Sequence, residues 1–516
     1  MKAVFSSINE IDMMLTVARR LQRDHGFHPI YWSASTDHQA ALLEQFPDVL
    51  FHDFFDAIRG EYPQFFDLQQ GFALLSEEVL SEYSDIEKTF IDLSMTRADP
   101  SGGFKYYELT NYFHRALAAS LSFIKKYQPD VWVSLSPPHS MFDYVFYEVC
   151  RKKQIKTVIL FETSLPGYSF AVEEINYQHK RLDVEISRIK KTGFDEQGIP
   201  EKVMGYIQGI RKTYDDGKPF HFQINYPGDS GLSRHSFERI RTELHRQKKQ
   251  CLKQYWLERL SPFKKLSTRK HYLKQSHHKL IASFTSELDW LRCKLDSVKQ
   301  TQEIFDEYVH LSSEYVMDRE YVYFPLHMQP ECTTVPQGGV FADQLLSLRM
   351  LRAALPDEVF IYVKETPGQF RWHRGISARY RWMYQEMADM KNVVLLPTDT
   401  DPFALVDNSQ CVFSITGTSG WESIVRGKPV ISMGKLFFYK GFPGVYQVSS
   451  AEEIDTAMNS IQENPAVDFN EVLIAVQALI NLCAVCSVQK KYVELYDIPI
   501  EENIDRLVGL LSSETM

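Results

Sequence analysis

With 516 residues, 44% of them apolar and 13% aromatic, the chain is long enough for two or three domain cores, because single cores stop growing near about 250–300 residues. The net charge of −10 argues against general nucleic-acid binding, which needs a basic face to neutralise phosphates. Seven scattered cysteines fit a reducing compartment. The N-terminus lacks a signal-peptide core, and no stretch approaches the roughly 18 apolar residues of a membrane span, so a cytoplasmic protein is expected.

Strand-like and helix-like segments alternate over residues 1–170. The predicted strands are 3–6, 30–33, 49–52, 131–135 and 157–161. The helix-like segments include an amphipathic run from Ile11 to Leu21, 39–45, 109–127 and 141–152. Such alternation predicts a mainly parallel sheet with helices on both faces.

Residues 171–320 are polar and helix-like, and they are expected to form an insertion or a helical linker. Within 241–280, twelve lysines and arginines stand against two acids, Glu243 and Glu258, with Tyr255 and Trp256 among the cations. This mixture suits an anionic membrane surface or a lipid-phosphate acceptor. A solvated helical hairpin with extended lysine side chains is the alternative.

Residues 321–465 predict a second doubly wound domain. The predicted strands are 321–326, 359–364, 393–396, 411–416 and 430–433. The predicted helices are 341–354, 377–390, 402–406, 420–426 and 451–461. The remaining residues, 466–516, contain helix-like segments at 470–495 and 501–511 that are expected to return across the first domain.

The stretch 415–431 reads as a strand, a Gly/Ser/Thr turn, a short helix, a Gly-Lys-Pro stop and another strand. Free N–H groups of a helix start at the carboxyl edge of a parallel sheet can hold a phosphate. A carboxylate in the first helical turn could receive ribose hydroxyls. The predicted contacts are Gly417, Thr418, Ser419, Gly420 and Glu422. A tight corner that needs small residues only for packing is an equal alternative.

Polar residues also follow two other strands of this domain. His327, Gln329 and Glu331 follow strand 321–326, where they could receive a sugar or a nucleotide, although strand-end residues often only cap loops. Lys364 ends strand 359–364 as a plausible phosphate partner, and Glu365 could bind a base or a sugar hydroxyl. A surface ion pair between Lys364 and Glu365 is the alternative.

Candidate acids and bases in the first domain lie at the same kind of edge. His139 follows the Pro137-Pro138 pair after strand 131–135, Asp143 lies in the next helix, and Glu162 follows strand 157–161. Glu10 lies after the first strand. An inverting group transfer needs a base among them, and a retaining one needs a nucleophilic carboxylate. The sequence does not rank these residues, and each could instead be a helix cap or a surface ion pair.

Several common motifs are missing from the sequence: Gly-x-Gly-x-x-Gly after the first strand, Walker A, Gly-x-Ser-x-Gly and His-Glu-x-x-His. This weakens dehydrogenase, P-loop, α/β-hydrolase and zinc-protease interpretations. Asp399 and Asp401 form an Asp-x-Asp, but Asp401 precedes Pro402 and is better explained as a helix N-cap, so no metal site is predicted. Cys483 and Cys486 are expected to be core cysteines of a helix-like segment.

The segments 323–331, 338–339, 343–344, 363–365, 416–422 and 426–429 together resemble bacterial capsule and surface-polysaccharide biosynthesis proteins. This group looks like GT-B glycosyltransferases and is similar to the capsule enzymes that transfer Kdo from CMP-Kdo. The resemblance implies two Rossmann-like domains facing a cleft, the second holding the nucleotide. It departs at Thr366-Pro367, where related CMP-sugar transferases usually carry His-Pro, which leaves the donor phosphate to His327 or Lys364.

The resemblance therefore implies a metal-independent glycosyltransferase with a nucleotide-sugar co-substrate and no other cofactor. The donor is expected to carry a keto sugar such as Kdo or a sialic-acid-like sugar on CMP. The expected acceptor is a surface polysaccharide or a lipid-linked glycan, reached from the inner face of the membrane through residues 241–280. A UDP-sugar hexosyltransferase, an epimerase of the same fold and a non-catalytic polysaccharide-assembly protein stay open as alternatives.

Overall fold

The computed structural model describes residues 1–6, 8, 11–95, 104–177, 180–218, 238–247, 249, 287–314, 316, 318–370 and 378–513. The strands are β1 (Lys2–Ser6), β2 (His28–Ala34), β3 (Leu50–Asp53), β4 (Val131–Ser134), β5 (Lys156–Glu162), β6 (Tyr168–Val172), β7 (Tyr321–Pro325), β8 (Phe360–Lys364), β9 (Val393–Leu396), β10 (Cys411–Ser414), β11 (Val430–Ser432), β12 (Val445–Gln447) and β13 (Ala484–Val485).

The helices follow in chain order, with a further helical stretch at 238–247. They are α1 (Ile11–His25), α2 (Gln39–Gln45), α3 (Phe54–Arg59), α4 (Leu68–Ala73), α5 (Glu77–Glu82), α6 (Ser84–Leu93), α7 (Tyr106–Tyr127), α8 (Met141–Lys152), α9 (Lys180–Thr192), α10 (Glu201–Lys212), α11 (Tyr214–Gly217), α12 (Glu287–Leu311), α13 (Gln344–Ala354), α14 (Met383–Ala388), α15 (Pro402–Asn408), α16 (Thr418–Val425), α17 (Ala451–Glu463), α18 (Phe469–Leu482), α19 (Lys490–Leu495) and α20 (Ile500–Ser512).

The first sheet has the strand order β13-β6-β5-β4-β1-β2-β3. Strands β1 to β5 are parallel, while β6 and β13 run antiparallel to their neighbours. The first and fourth strands are adjacent, so the chain reverses its direction of winding between them. Such a switch point opens a crevice at the carboxyl ends of the two strands.

The second sheet has the order β12-β11-β10-β7-β8-β9, and all six strands are parallel. Numbered within this domain, the order is 3-2-1-4-5-6, and the switch point lies between β7 and β10. The predicted fold class is confirmed: the chain contains two doubly wound α/β domains.

Apolar periodicity explains how the ends of the chain meet. Helix α1 buries Met14, Leu15, Ala18 and Leu21, which recur at helical spacing and pack under the first sheet. Helix α20 adds Leu507 and Leu511 to the same core, and burying each such side chain contributes about 1.5–3 kcal/mol. Because β13 also pairs with β6, the C-terminal segment completes the first domain.

The structure differs from the predicted elements where local signals are weak. Strands β6, β12 and β13 were not predicted, because each is short or follows no regular alternation. The predicted helix 341–354 begins only at Gln344, since Asp343 caps it by accepting hydrogen bonds from the N–H groups of Leu345 and Leu346.

The predicted helix 470–495 is wrong in its middle. Helix α18 ends at Leu482, Cys483 caps it in an extended conformation, and β13 follows, so the Cys483–Cys486 pair lies outside a helix. Pairing with β6 overrides the apolar helical pattern there. The predicted helix 377–390 is observed as Met383–Ala388, and residue 377 lies outside the described residues. Of the basic segment 241–280, the structure describes 241–247 and 249.

Candidate functional site

His327 spans the switch point of the second sheet. Its Nε2 accepts hydrogen bonds from the backbone N–H groups of Gly417, at 2.8 Å, and of Thr416, at 3.1 Å. Burial lowers the pKa of His327 and the neighbouring Arg379 cation adds to this effect, so that the pKa is about 4. The ring is therefore neutral at physiological pH, and it ties the end of β7 to the start of α16.

A buried polar network holds the loop that begins with His327. The Arg379 guanidinium pairs with the Glu365 carboxylate at 2.7 Å, and both side chains are fully buried. Arg379 also donates to the Gln329 side chain at 2.7 Å and to the His327 carbonyl at 2.9 Å. Tyr384 donates its hydroxyl to Glu365 at 2.7 Å. Gln329 and Glu365, which the sequence predicts to contact the nucleotide-sugar donor, thus form hydrogen bonds with protein groups.

A cavity of about 290 Å³ lies at this switch point and is called the switch-point cavity below. The predicted donor-binding residues that line it are His327, Glu331, Lys364, Glu365, Gly417, Thr418, Ser419 and Glu422. The cavity is also lined by Tyr214, which sequence reasoning missed because it lies in the supposed linker. A parallel sheet collects these distant segments because its strands all end at one edge.

The start of α16 faces the switch-point cavity. Gly417 is the N-cap and provides no side-chain cap. Within the part of the chain that the structure describes, no hydrogen bond satisfies the backbone N–H groups of Thr418 and Ser419. Unsatisfied N–H groups and the positive end of the helix dipole favour an anion at this place.

Lys364 supplies a cation to the same cavity. Its side chain is 8% exposed, and Nζ makes no hydrogen bond or ion pair with any described residue. Burial lowers the pKa of Lys364 to about 8, opposed by the carboxylates of Glu365, Asp399, Asp401 and Glu422. The amine is therefore mostly charged at neutral pH and available to a phosphate.

Glu422 is a lining carboxylate of the cavity whose pKa is raised. Burial raises its pKa to about 7, while a hydrogen bond from Thr418 and the cations of Arg426 and Lys364 act in the opposite direction. The Arg426 guanidinium forms its ion pair with Asp407 rather than with Glu422. Glu422 thus exchanges between a neutral acid and a carboxylate near neutral pH.

Gly420 has a packing role in the structure. A Cβ at this position would lie 2.2 Å from the hydroxyl oxygen of the buried Tyr439, which itself donates to the Gly417 carbonyl at 2.7 Å. Gly420 does not line the switch-point cavity. Gly420, which the sequence predicts to contact a nucleotide, therefore lies on the core side of the helix.

A second, larger cavity of about 470 Å³ adjoins the first and is called the interdomain cavity below. It is lined by residues of both domains and of the C-terminal segment, and it shares Thr333 and Thr418 with the switch-point cavity. Two reactants bound in adjoining cavities can meet at the shared wall.

Glu162 lines the interdomain cavity. Its Oε1 accepts from the Ser487 hydroxyl at 2.5 Å and from the backbone N–H of Val488 at 3.1 Å. The pKa of Glu162 is raised above its usual value, because the effect of burial outweighs the lowering by these hydrogen bonds and by the Lys491 cation. Oε2 has no hydrogen bond from a described residue, so it can accept a proton from a ligand.

The other two predicted catalytic residues, Asp143 and His139, line neither cavity. Asp143 is buried at the first sheet's switch point, where it accepts from Ser6 Oγ at 2.8 Å and Ser140 Oγ at 2.5 Å. The Nδ1 atom of His139 lies 2.6 Å from the Pro137 carbonyl. Glu10 lies outside the described residues.

The described residues contain neither a membrane-spanning helix nor a metal-binding cluster. No helix in this part of the chain combines the length and hydropathy that a bilayer span requires. No group of three or more His, Cys, Asp or Glu side chains comes together there in a way that could hold a metal ion. Asp401 accepts a hydrogen bond from the Phe403 N–H at 2.9 Å, as an N-cap does.

Comparison with known proteins finds a family match at residues 235–479, described as "Capsule polysaccharide biosynthesis protein". This confirms the resemblance to capsule polysaccharide biosynthesis proteins. The curated proteins contain no match.

Solved structures with overall likeness include UDP-GlcNAc 2-epimerase from Methanocaldococcus jannaschii, at 11% identity and a TM-score of 0.24, covering 93% of this chain and 100% of the other. The beta Kdo 2,7 transferase KpsC of Thermosulfurimonas dismutans matches at 9% identity and a TM-score of 0.25, covering 72% and 96%.

Proposed function

We propose, from the match of residues 235–479 to the capsule polysaccharide biosynthesis family, that this protein is a GT-B glycosyltransferase that moves a sugar from a nucleotide donor to a glycan acceptor. One observation carries the proposal. Among the described residues, nothing forms a hydrogen bond or ion pair with the buried Lys364 amine or a hydrogen bond with the N–H groups of Thr418 and Ser419, and all three border one cavity at the switch point of a Rossmann-like sheet. This combination suits the phosphate of a nucleotide sugar.

The interdomain cavity is the proposed acceptor site, and Glu162 is the proposed general base. In an inverting transfer, the acceptor hydroxyl oxygen attacks the anomeric carbon and forms the new glycosidic bond. The bond from that carbon to the nucleotide phosphate breaks, and its electron pair leaves with the nucleotide. Oε2 of Glu162 takes the hydroxyl proton, while Lys364 and the start of α16 stabilise the charge of the leaving phosphate. The scheme uses these protein groups rather than a metal ion.

The proposed donor is a CMP-linked keto sugar, such as Kdo or a sialic-acid-like sugar, and the proposed acceptor is a surface polysaccharide or a lipid-linked glycan. The resemblance of residues 320–445 to Kdo-transferring capsule enzymes supports the donor. The cationic segment 241–280 supports an acceptor at an anionic membrane surface. A cytoplasmic location is supported by the free thiols of Cys150, Cys332 and Cys411.

Calorimetric titration with CMP, UDP, GDP and their sugar conjugates tests the donor site. Selective binding of CMP compounds, weakened about 10- to 100-fold by Lys364→Met, is expected, because a charge-assisted hydrogen bond contributes about 1.5–3 kcal/mol. Preference for UDP would move the donor to a UDP-hexose and bring back the epimerase alternative. Absence of any nucleotide binding would contradict the proposal and favour a non-catalytic assembly protein.

A further inference from the structure

Tyr214 opens α11, a single turn that packs tightly on the preceding helix. A Cβ at Gly217 would lie 2.6 Å from the Ile210 Cα atom, and one at Gly209 would lie 2.6 Å from the Asp216 carbonyl oxygen. Such close backbone contact requires glycine at both positions. The position of Tyr214 is therefore fixed by α10 and not by a loose loop.

The ring of Tyr214 makes a T-shaped contact with Phe403, with centroids 5.4 Å apart and planes at 87°, and the Lys218 ammonium lies 5.1 Å from the Tyr214 centroid. The Arg426 guanidinium lies over the Phe403 ring, 4.4 Å from its centroid. Aromatic pairs in this geometry stabilise one another beyond simple burial. Tyr214 is half-buried and lines the switch-point cavity.

Hydrogen bonds from two arginine side chains attach α10 to the second domain. Arg211 donates to the Val425 carbonyl at 3.1 Å, and Arg426 donates to the Ile210 carbonyl. Although residues 201–217 follow the first sheet in sequence, Tyr214 is thus anchored to the same helix, α16, whose start faces the cavity.

The switch-point cavity therefore contains two kinds of surface. One is polar and cationic, from Lys364 and the start of α16, and the other is flat and apolar, from Tyr214, Pro325 and Pro402. A nucleotide has the same division between its phosphate and its base. We infer that Tyr214 is the platform on which the nucleobase of the donor stacks, an assignment that rests on the proposed function and deepens it.

The test measures the affinity of the wild type and of Tyr214→Ala for two ligands, by calorimetry. One ligand is the nucleoside monophosphate that binds the wild type most tightly among CMP, UMP, GMP and AMP. The other is ribose 5-phosphate, which has the sugar and phosphate without a base. Tyr214→Phe keeps the ring, and Tyr107→Ala removes an 82% exposed tyrosine that lines neither cavity.

Tyr214→Ala should weaken the nucleotide about 10-fold, on the scale of base–aromatic stacking, and leave ribose 5-phosphate within twofold of the wild type. Tyr214→Phe and Tyr107→Ala should bind both ligands like the wild type. Unchanged nucleotide affinity in Tyr214→Ala, or an equal loss for both ligands, would overturn the platform while leaving the proposed function in place. A wild type that binds no nucleotide would overturn both.

Discussion

Lys364 and Glu422 place two titrating groups of opposite sign in the switch-point cavity. Burial lowers the pKa of the amine to about 8 and raises the pKa of the carboxyl to about 7. Below pH 7 the cavity holds an ammonium beside a neutral acid. Above pH 8 the carboxylate stands beside a neutral amine, so the summed charge of these two groups turns from positive to negative between about pH 7 and pH 8, while Glu331 and Glu365 also line the cavity.

Nucleotide affinity should therefore fall between pH 6 and pH 9 in the wild type. Ionisation of Glu422 repels the phosphate first, and deprotonation of Lys364 then removes its partner. Glu422→Gln should remove the lower step and Lys364→Met the upper one, as measured by calorimetry in buffers of matched ionic strength. Affinity that is independent of pH in the wild type would show that the phosphate binds elsewhere.

The same shifts predict how stability depends on pH without ligand. Lys364 has a lowered folded-state pKa, so between pH 8 and 10.5 the unfolded chain binds more protons and the free energy of unfolding rises with pH. Glu422 has a raised folded-state pKa, so its contribution to the free energy of unfolding is fully present below pH 4.5 and is lost as pH rises through 7.

Denaturant unfolding across these two windows measures each contribution. Lys364→Met should flatten the alkaline slope, and Glu422→Gln should flatten the slope between pH 4.5 and 7. Slopes identical to those of the wild type would mean that the two groups are solvated in the folded protein.

At the scale of elements, the start of α16 depends on close packing under the helix. Gly420→Ala should destabilise the fold by about 1–3 kcal/mol, because the added Cβ overlaps the Tyr439 hydroxyl. Adding Tyr439→Phe should recover part of that loss by removing the overlapping oxygen. A double-mutant cycle in denaturant measures the coupling, and strictly additive effects would contradict this contact.

The turn that starts α16 was predictable because Gly, Ser and Thr after an apolar strand and before a Gly-Lys-Pro stop have strong local preferences. The helix begins at Thr418, two residues before the predicted start. The packing role of Gly420 was not predictable, since its partner Tyr439 lies in a separate loop after β11. The Arg379–Glu365 ion pair was missed because the sequence predicts a helix over 377–390, whereas Arg379 lies before the observed helix Met383–Ala388.

On the scale of the molecule, Glu162 contacts Ser487, which lies 325 positions later in the sequence. The hydroxyl of Ser487 donates to the carboxylate and favours its charged form. Asn503 of α20 holds Ser487 in turn, through its Oδ1 at 2.9 Å and its Nδ2 at 3.0 Å. The C-terminal segment thus positions the proposed base of the first domain.

Ser487→Ala should raise the pKa of Glu162, because it removes a hydrogen bond that favours the charged carboxylate, and such a bond contributes about 1.5–3 kcal/mol. The acidic limb of the pH–rate profile should then move to higher pH. The matched control is Ser169→Ala: Ser169 pairs with Glu162 in the β5–β6 ladder, but its hydroxyl donates to the Cys486 carbonyl at 2.7 Å. An equal shift in both variants would indicate general loosening of the segment.

The two-sheet architecture was predictable from alternating strands and helices, and so were the strand-end loops that meet at its edges. The contribution of the C-terminal segment to the interdomain cavity was not. Val485 and Ser487 continue an apolar run that resembles a helix, and only the pairing of β13 with β6 reveals their place. Asp143 and Glu162 were indistinguishable in sequence because both carboxylates come shortly after a strand, and the structure separates them because Glu162 lines the interdomain cavity and Asp143 does not.

We propose that the nucleotide donor and the glycan acceptor react where the two cavities join. The most direct measurement is release of free nucleotide from CMP-, UDP- and GDP-sugars with and without oligosaccharide acceptors, comparing the wild type with Glu162→Gln. The account predicts acceptor-dependent release that falls at least about 100-fold in Glu162→Gln, the scale of losing a general base, while nucleotide affinity is unchanged. Release that is independent of acceptor, or full turnover in Glu162→Gln, would contradict it.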